Sequence, residues 1–261
     1  MIKHSFTALG ALTLALGSLA FAQPAMAAAG AHATFQTGGP YHVAPGSRIG
    51  HASIGNRVLD YSTNWSGYAV TGGTFTTATA TWIQNAGTCT SGDGQTDMSP
   101  WVGLDGFSDS TVEQTGTSVD CNGASSDYYA WYEMYPAGVV IINKTVKAGD
   151  SFTGTVTHTS GTTYKLVLTN NTEGWTFSVS KKLSAKDSSA EAVMEMAANS
   201  LTKFGTDPFT SFTVDGKAVG SYTGSGYTIE QMEIKVGSTL CDSTSALSNE
   251  ENFTTTWLNA C

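Results

Sequence analysis

Short runs rich in Thr, Val and aromatic residues recur along this chain at 64–70, 74–83, 151–158, 164–170, 176–182, 211–214 and 227–236, and Gly, Ser, Asn or Asp stands between them. Runs of this kind, bounded by turn formers, read as β-strands. Frequent turns between short strands argue for an all-β fold, an antiparallel two-sheet β-sandwich. One stretch stands apart: residues 186–204 are rich in Ala, Met and Glu and by propensity read as a helix, with Ser188 or Ser189 as its cap.

The stretch 101–136 concentrates the side chains that can do chemistry. It holds three short segments, W-V-G-L-D-G from Trp101, T-V-E-Q-T-G from Thr111 and Y-A-W-Y-E-M-Y-P from Tyr129. Side chains alternate faces along a strand, so Tyr129, Trp131, Glu133 and Tyr135 project from one side and Ala130, Tyr132 and Met134 from the other. By the same rule Val112, Gln114 and Gly116 share a face that Glu113 does not. A carboxylate among aromatic rings, beside a Gln and a Gly, suits a groove for an extended polar substrate. The same pattern also fits aromatics packed in a sandwich core with Gln114 on the surface.

The chain begins with Lys3 and His4, an apolar run from Phe6 to Phe21, and Ala25-Met26-Ala27, an A-x-A cleavage signal. Residues 1–27 are therefore expected to be a secretory signal peptide, and no later segment is long and apolar enough to span a bilayer. From 28 to 59 there is no Asp or Glu, while Arg48 and Arg57, the only arginines, stand with His32, His42 and His51. All 21 acidic residues lie at Asp60 or beyond, against nine lysines. This split suggests a basic pro-segment, 28–59, that docks on an acidic body, 60–261, and is removed. A flexible tail is the plainer alternative. Carboxylates lose charge in acid, so a docked segment is expected to be released as pH falls.

Four cysteines in an exported chain point to two disulfides; sequence proximity favours Cys89–Cys121 and Cys241–Cys261 among three possible pairings. The first would close a loop around 101–116. After Asp60 the only histidine is His158, and there is no G-x-S-x-G or H-E-x-x-H. A Ser-His-Asp hydrolase or a zinc hydrolase is therefore disfavoured, and neither a metal nor a cofactor is expected. Paired D-T/S-G loops and a phosphate-binding loop are missing as well, and an acidic body is a poor partner for nucleic acid. Carboxylates, amides and aromatics remain.

In order along the chain, N-W-S-G-Y-A-V from Asn64, W-V-G-L-D-G from Trp101, E-Q-T-G from Glu113, A-W-Y-E-M-Y-P from Ala130 and A-E-A-V-M-E from Ala190 resemble the glutamic peptidases, or eqolisins. The resemblance covers Asn64 to about Glu195. It implies a secreted acid endopeptidase on an antiparallel two-sheet sandwich of the jelly-roll or concanavalin-like kind, acting on proteins or peptides. The protein is expected to be a monomer, with the basic pro-segment as its own intramolecular inhibitor. It also implies a catalytic pair, Gln114 and Glu195, and overrules the helical reading of 190–195, because the family's Glu lies on a strand. A processing point near Asp60 fits the start of the family's mature chain. Trp82-Ile83-Gln84-Asn85 lacks the proline usual after the second strand, and the cysteines do not follow the fungal pattern.

The pair suits acid. Near pH 3 to 4 a histidine is protonated and useless as a base, whereas a glutamate with an ordinary pKa of about 4.3 both takes and returns a proton. An amide does not titrate. Trp65, Gly67, Trp101, Gly116, Trp131, Glu133 and Tyr135 are expected to line the groove, the glycines admitting a substrate backbone and Glu133 orienting Gln114 or accepting from substrate. Asp105 is expected to brace the L-D-G turn. The competing reading is a carbohydrate-binding or glycoside-hydrolysing sandwich that uses Glu113, Glu133 and Glu195; a third is a non-catalytic binding module.

Overall fold

The computed structural model describes residues 51–197 and 200–261; the expected signal peptide and the segment from 28 to 50 lie outside them. A hairpin, β1 (His51–Ile54) and β2 (Arg57–Ser62), leads into β3 (Trp65–Thr71), β4 (Thr77–Ile83), β5 (Gln95–Leu104), β6 (Val112–Asn122), β7 (Ser125–Tyr135), β8 (Val140–Ile142), β9 (Ser151–Ser160), β10 (Thr163–Asn170), β11 (Trp175–Lys182) and β12 (Ser189–Glu195). The chain ends with β13 (Thr206–Val214), β14 (Lys217–Ala218), β15 (Thr228–Val236), β16 (Thr239–Thr244) and β17 (Phe253–Trp257). A 3-10 turn at Val219–Ser221 is the one helical element among the described residues, so no helix there is long and apolar enough to cross a membrane.

The strands form the expected sandwich. One layer runs β1·β2·β15·β3·β12·β5·β6·β7·β8, and every pairing in it is antiparallel except β2 with β15. The other runs β11·β10·β9·β4·β13·β14. β16 and β17 extend the first layer from β15, and β13 belongs to both: Thr206–Phe209 pairs with β17, Thr210–Val214 pairs with β4, and the register shifts between Thr210 and Thr213, where Ser211 takes a positive φ of 54°. A bulge of this kind bends a strand and lets it change sheets. Between the layers Trp82, Phe152, Phe209, Phe212, Leu104 and Val102 form the main core.

Burial patterns separate the layers. β4 and β9 alternate between buried and half-buried residues over most of their length, as a sheet with one solvated face does, whereas all seven residues of β12 are buried. β12 is the segment whose composition reads as helix. It is a strand because β3 and β5 pair with it on both sides, and that tertiary pairing outweighs the weak helical preference of Ala, Met and Glu. The expected boundary between residues 59 and 60 falls inside β2, which pairs with β15 from Arg57↔Ile229 to Ser62↔Ile234. Both disulfides form as sequence proximity favours, Cys89–Cys121 and Cys241–Cys261, with Cα separations of 5.3 and 5.9 Å.

Candidate active site

Residues paired in register project from the same face, so the first layer can be read as cross-strand rows. On its face away from the main core one row runs Glu133–Gln114–Gly103–Glu191–Ala69–Glu230. The next runs Trp131–Gly116–Trp101–Val193–Gly67–Met232. In the third, Glu195 lies between Trp65 and Ser99. Gln114 and Glu195 thus share one face, two strands apart, with the tryptophan row between them. Glu113 pairs with Leu104 and Met134 and faces the main core, so it shares no cleft with Glu133 or Glu195.

Each of the two expected catalytic side chains is held. Glu195, with no solvent exposure, accepts from Trp101 Nε1 on Oε2 at 2.8 Å and from Asn64 Nδ2 on Oε1 at 3.3 Å. Gln114 Nε2 donates to Glu133 Oε2 at 2.8 Å, which supports the orienting role expected of Glu133. Since an amide nitrogen carries two hydrogens, one remains for another acceptor. Gln114 Oε1 and Trp65 Nε1 are buried and have no hydrogen-bond partner.

The indoles form the frame around these groups. Trp65 meets Trp101 edge to face at a centroid distance of 4.8 Å, and Trp131 Nε1 donates to Ser118 Oγ at 2.8 Å, which in turn lies 2.6 Å from Ser99 Oγ. Tyr135 is half-buried at the rim of this cluster. Both glycines stand where a side chain would collide with the sheet itself. A Cβ on Gly67, whose φ is +131°, would stand 2.4 Å from the Ala192 carbonyl oxygen, and one on Gly116 would stand 2.6 Å from Trp101 Cβ and 2.8 Å from Trp131 Cζ2.

Asp105 braces its turn, as the L-D-G sequence suggests. It has a positive φ of 66°, its backbone N–H donates to Ser189 O at 3.0 Å, and its carboxylate accepts from Asp187 N at 2.8 Å and Ser188 N at 2.6 Å. The end of β5 is thereby tied to the start of β12, the strand of Glu195. Burial above all, and then the neighbouring Asp109, pushes the Asp105 carboxyl up to about 6, against the pull of its Ser188 and Asp187 donors. Burial, followed by repulsion from Asp105, raises Glu113 to about 9. Glu191 is raised well above the carboxylate range, first by burial and then by Asp105.

Two contributors escaped the sequence reading. Asn64 lies in the N-W-S-G block, but its bond to Glu195 joins residues 131 positions apart. Ser62 prepares it, accepting from Asn64 N at 3.3 Å and Trp65 N at 3.1 Å. No group of three His, Cys, Asp or Glu among the described residues is arranged to hold a metal ion.

The sequence model of the peptidase A4 family matches residues 63–257. Similar solved structures include scytalido-glutamic peptidase with a transition state analog inhibitor, at 24% identity and a TM-score of 0.64, covering 75% of this chain and 98% of that one. SCP-B, a member of the eqolisin family in complex with the tripeptide Ala-Ile-His, is similar at 22% identity and a TM-score of 0.61, with the same coverage of 75% and 98%. Aspergilloglutamic peptidase from Aspergillus niger is similar at 25% identity and a TM-score of 0.51, covering 62% of this chain and 99% of that one. No curated protein sequence matches.

Proposed function

Because the chain belongs to the peptidase A4 family, we propose that Gln114 and Glu195 carry its peptide-bond hydrolysis by acting on a single water, and that it works as a secreted endopeptidase in acid. The observation that supports this reading most is the holding of both groups: each Glu195 oxygen accepts a hydrogen bond, and Gln114 is anchored through one of its two amide hydrogens. Glu195, ionised, takes a proton from the water as its oxygen attacks the peptide carbonyl carbon. The second N–H of Gln114 donates to the oxyanion that forms, a contribution of about 3 to 4 kcal/mol where such donors are removed. As the C–N bond breaks, Glu195 returns its proton to the departing amine nitrogen. No covalent intermediate forms. The unpartnered Trp65 Nε1 supplies a further donor on the same face for a substrate carbonyl.

The basic segment is read as the site's own inhibitor. Its lack of acidic residues complements a face that carries Glu133, Glu195 and Glu230 in two rows of one sheet. Protonation of such a face weakens its hold on Arg48 and the histidines, so acid both releases the segment and suits the Gln/Glu chemistry.

The test is cleavage of denatured casein or haemoglobin from pH 2 to 7 by the wild type, Gln114→Ala and Glu195→Gln. Acid-dependent cleavage by the wild type alone is the expected result. Turnover retained in either variant overturns the dyad, and cleavage of a polysaccharide in place of protein overturns the substrate class.

A further inference from the structure

The β1–β2 hairpin lies ahead of Thr63, where the match to the peptidase A4 family begins, and yet it is built into the sheet. β2 is paired on both sides: residues 57–60 run against β1, and residues 57–62 run parallel to β15. Both of its ends are held. Asn56 O accepts from Ile229 N at 2.8 Å, and Asn56 Nδ2 donates to Tyr222 O. Further on, Asp60 and Ser62 are buried, and Lys235 Nζ stands 4.4 Å from the centre of the Tyr61 ring. Without β2 the nine-residue β15 would be the edge of the layer, with a long row of unpaired backbone groups. With the hairpin in place the edge is β1, four residues long, and short edge strands are one way that sheets avoid pairing with other chains.

We propose that processing removes only residues upstream of His51 and leaves β1–β2 on the mature enzyme, as the edge of the sheet that carries Gln114 and Glu195. This rests on reading the basic segment as an inhibitor that is cut away, and it moves the cut from the 59–60 boundary to the far side of the hairpin. A peptidase takes its substrate as an extended chain whose N–H and C=O groups are free to pair with the groove. In β2 those groups already face a partner strand on either side. The turn between the strands is no better suited, since Gly55 has a φ of 66° and Asn56 is tied to Tyr222 and Ile229. Arg57 then stays with the body, while Arg48, His32 and His42 leave with the segment. The hairpin also supplies the anchor of that segment. Asp60 pairs with both His51 and Met232, so His51 continues the row that holds Gly67, Val193 and Trp101. Five strand spacings, about 24 Å, separate His51 from Trp101. The 23 residues from 28 to 50 extend to about 75 Å, long enough to reach across the catalytic face.

The chain from residue 28 onwards is held at pH 3 to 4, and the first residue of the product is read by intact mass and N-terminal sequencing. The expected start is His51 or a residue before it. Gln114→Ala, which on the dyad reading does not process itself, is given a trace of pepsin at the same pH, and its resistant core is expected to begin in the same range. A start beyond His51 in either experiment overturns the proposal, as does a wild type that cleaves casein without being shortened. If the wild type neither shortens nor cleaves casein, the dyad reading fails, and the start of the pepsin-resistant core still decides the fate of the hairpin. Tyr61→Ala, which removes the ring beneath Lys235, gives a second readout, because a change in a discarded segment leaves no trace in the product. The processed variant is expected to differ from wild type by the mass of the substitution and to melt roughly 2 to 4 °C lower. A processed variant identical in mass to the wild type overturns the proposal, and one that carries the substitution with an unchanged Tm overturns the place of β2 as a built-in strand.

Discussion

Trp101 donates its indole N–H to Glu195 Oε2 at 2.8 Å, from a position one row closer to Gln114 on the neighbouring strand. The ring that separates the two catalytic candidates is thus also the one that fixes the carboxylate. Trp101→Phe keeps an aromatic ring against Trp65 and removes only the donor. A hydrogen bond to a charged group contributes about 1.5 to 3 kcal/mol, so kcat is expected to fall roughly ten- to a hundredfold while KM changes little. A kcat within twofold of wild type in steady-state kinetics at the pH optimum would remove Trp101 from the mechanism.

Stability should decline as pH rises from the acid side. Burial first, with carboxylate neighbours adding to it, raises Asp105 to about 6 and Glu113 to about 9, and burial raises Asp242 to about 7. An acid whose folded pKa exceeds its unfolded value binds more protons when folded between the two. Its stabilising effect is complete below the unfolded value near 4 and is lost as pH climbs through the folded one. The window here runs from about pH 4 to 9. Thermal unfolding is expected to show Tm falling steadily between pH 4 and 8, and Glu113→Gln should flatten the upper part of that fall. A Tm that rises over the range would contradict the assignment of these buried carboxyls as neutral.

The expected faces of 112–116 and 129–135 were legible because strand alternation is local: Gln114, Gly116, Trp131 and Glu133 do share a face, and Glu113 turns to the core. The nature of 189–195 was legible only through family resemblance, since Ala, Met and Glu carry no strand signal and the pairing that decides it comes from β3 and β5. Strand β2 was hidden for another reason. Arg57 and the uncharged residues before it group by composition with the segment upstream, and a parallel partner 172 positions later in sequence, Ile229 for Arg57, leaves no local mark. Register between distant strands is also what brings Asn64 to Glu195. The site's residue types can be read from the chain, but their rows cannot.

Gly116→Ala tests whether the glycine serves the frame. The added methyl would press on Trp101 Cβ, Trp131 Cζ2 and, at 2.5 Å, the Pro100 carbonyl oxygen, none of which is the far end of a flexible chain. Overpacking of this kind costs about 1 to 3 kcal/mol. The expected outcome is a lower Tm together with a kcat loss comparable to that of Trp101→Phe, because moving Trp101 disturbs its bond to Glu195. A variant with wild-type kcat and Tm would return Gly116 to the role of admitting substrate.

The residues before Thr63 reach the site through β2. Six residue pairs join β2 to β15, Asp60 and Ser62 at its end are buried, and Ser62 Oγ accepts from the N–H groups of Asn64 and Trp65. Asn64 then donates to Glu195. Three chains beginning at His51, Asp60 and Thr63 divide this sequence of supports. Starting at Asp60 removes β1 and half the pairing of β2 while keeping Ser62. Each lost hydrogen bond is worth about 0.5 to 1.5 kcal/mol, so Tm should fall by roughly 5 to 10 °C with kcat nearly intact once the protein is folded. Starting at Thr63 also removes the acceptor that sets Asn64 and Trp65, and kcat should then fall as well. Equal Tm for the His51 and Asp60 chains would mean that β15 does not need β1 or the first half of β2. Equal kcat for the Asp60 and Thr63 chains would mean that Asn64 holds Glu195 without help from Ser62.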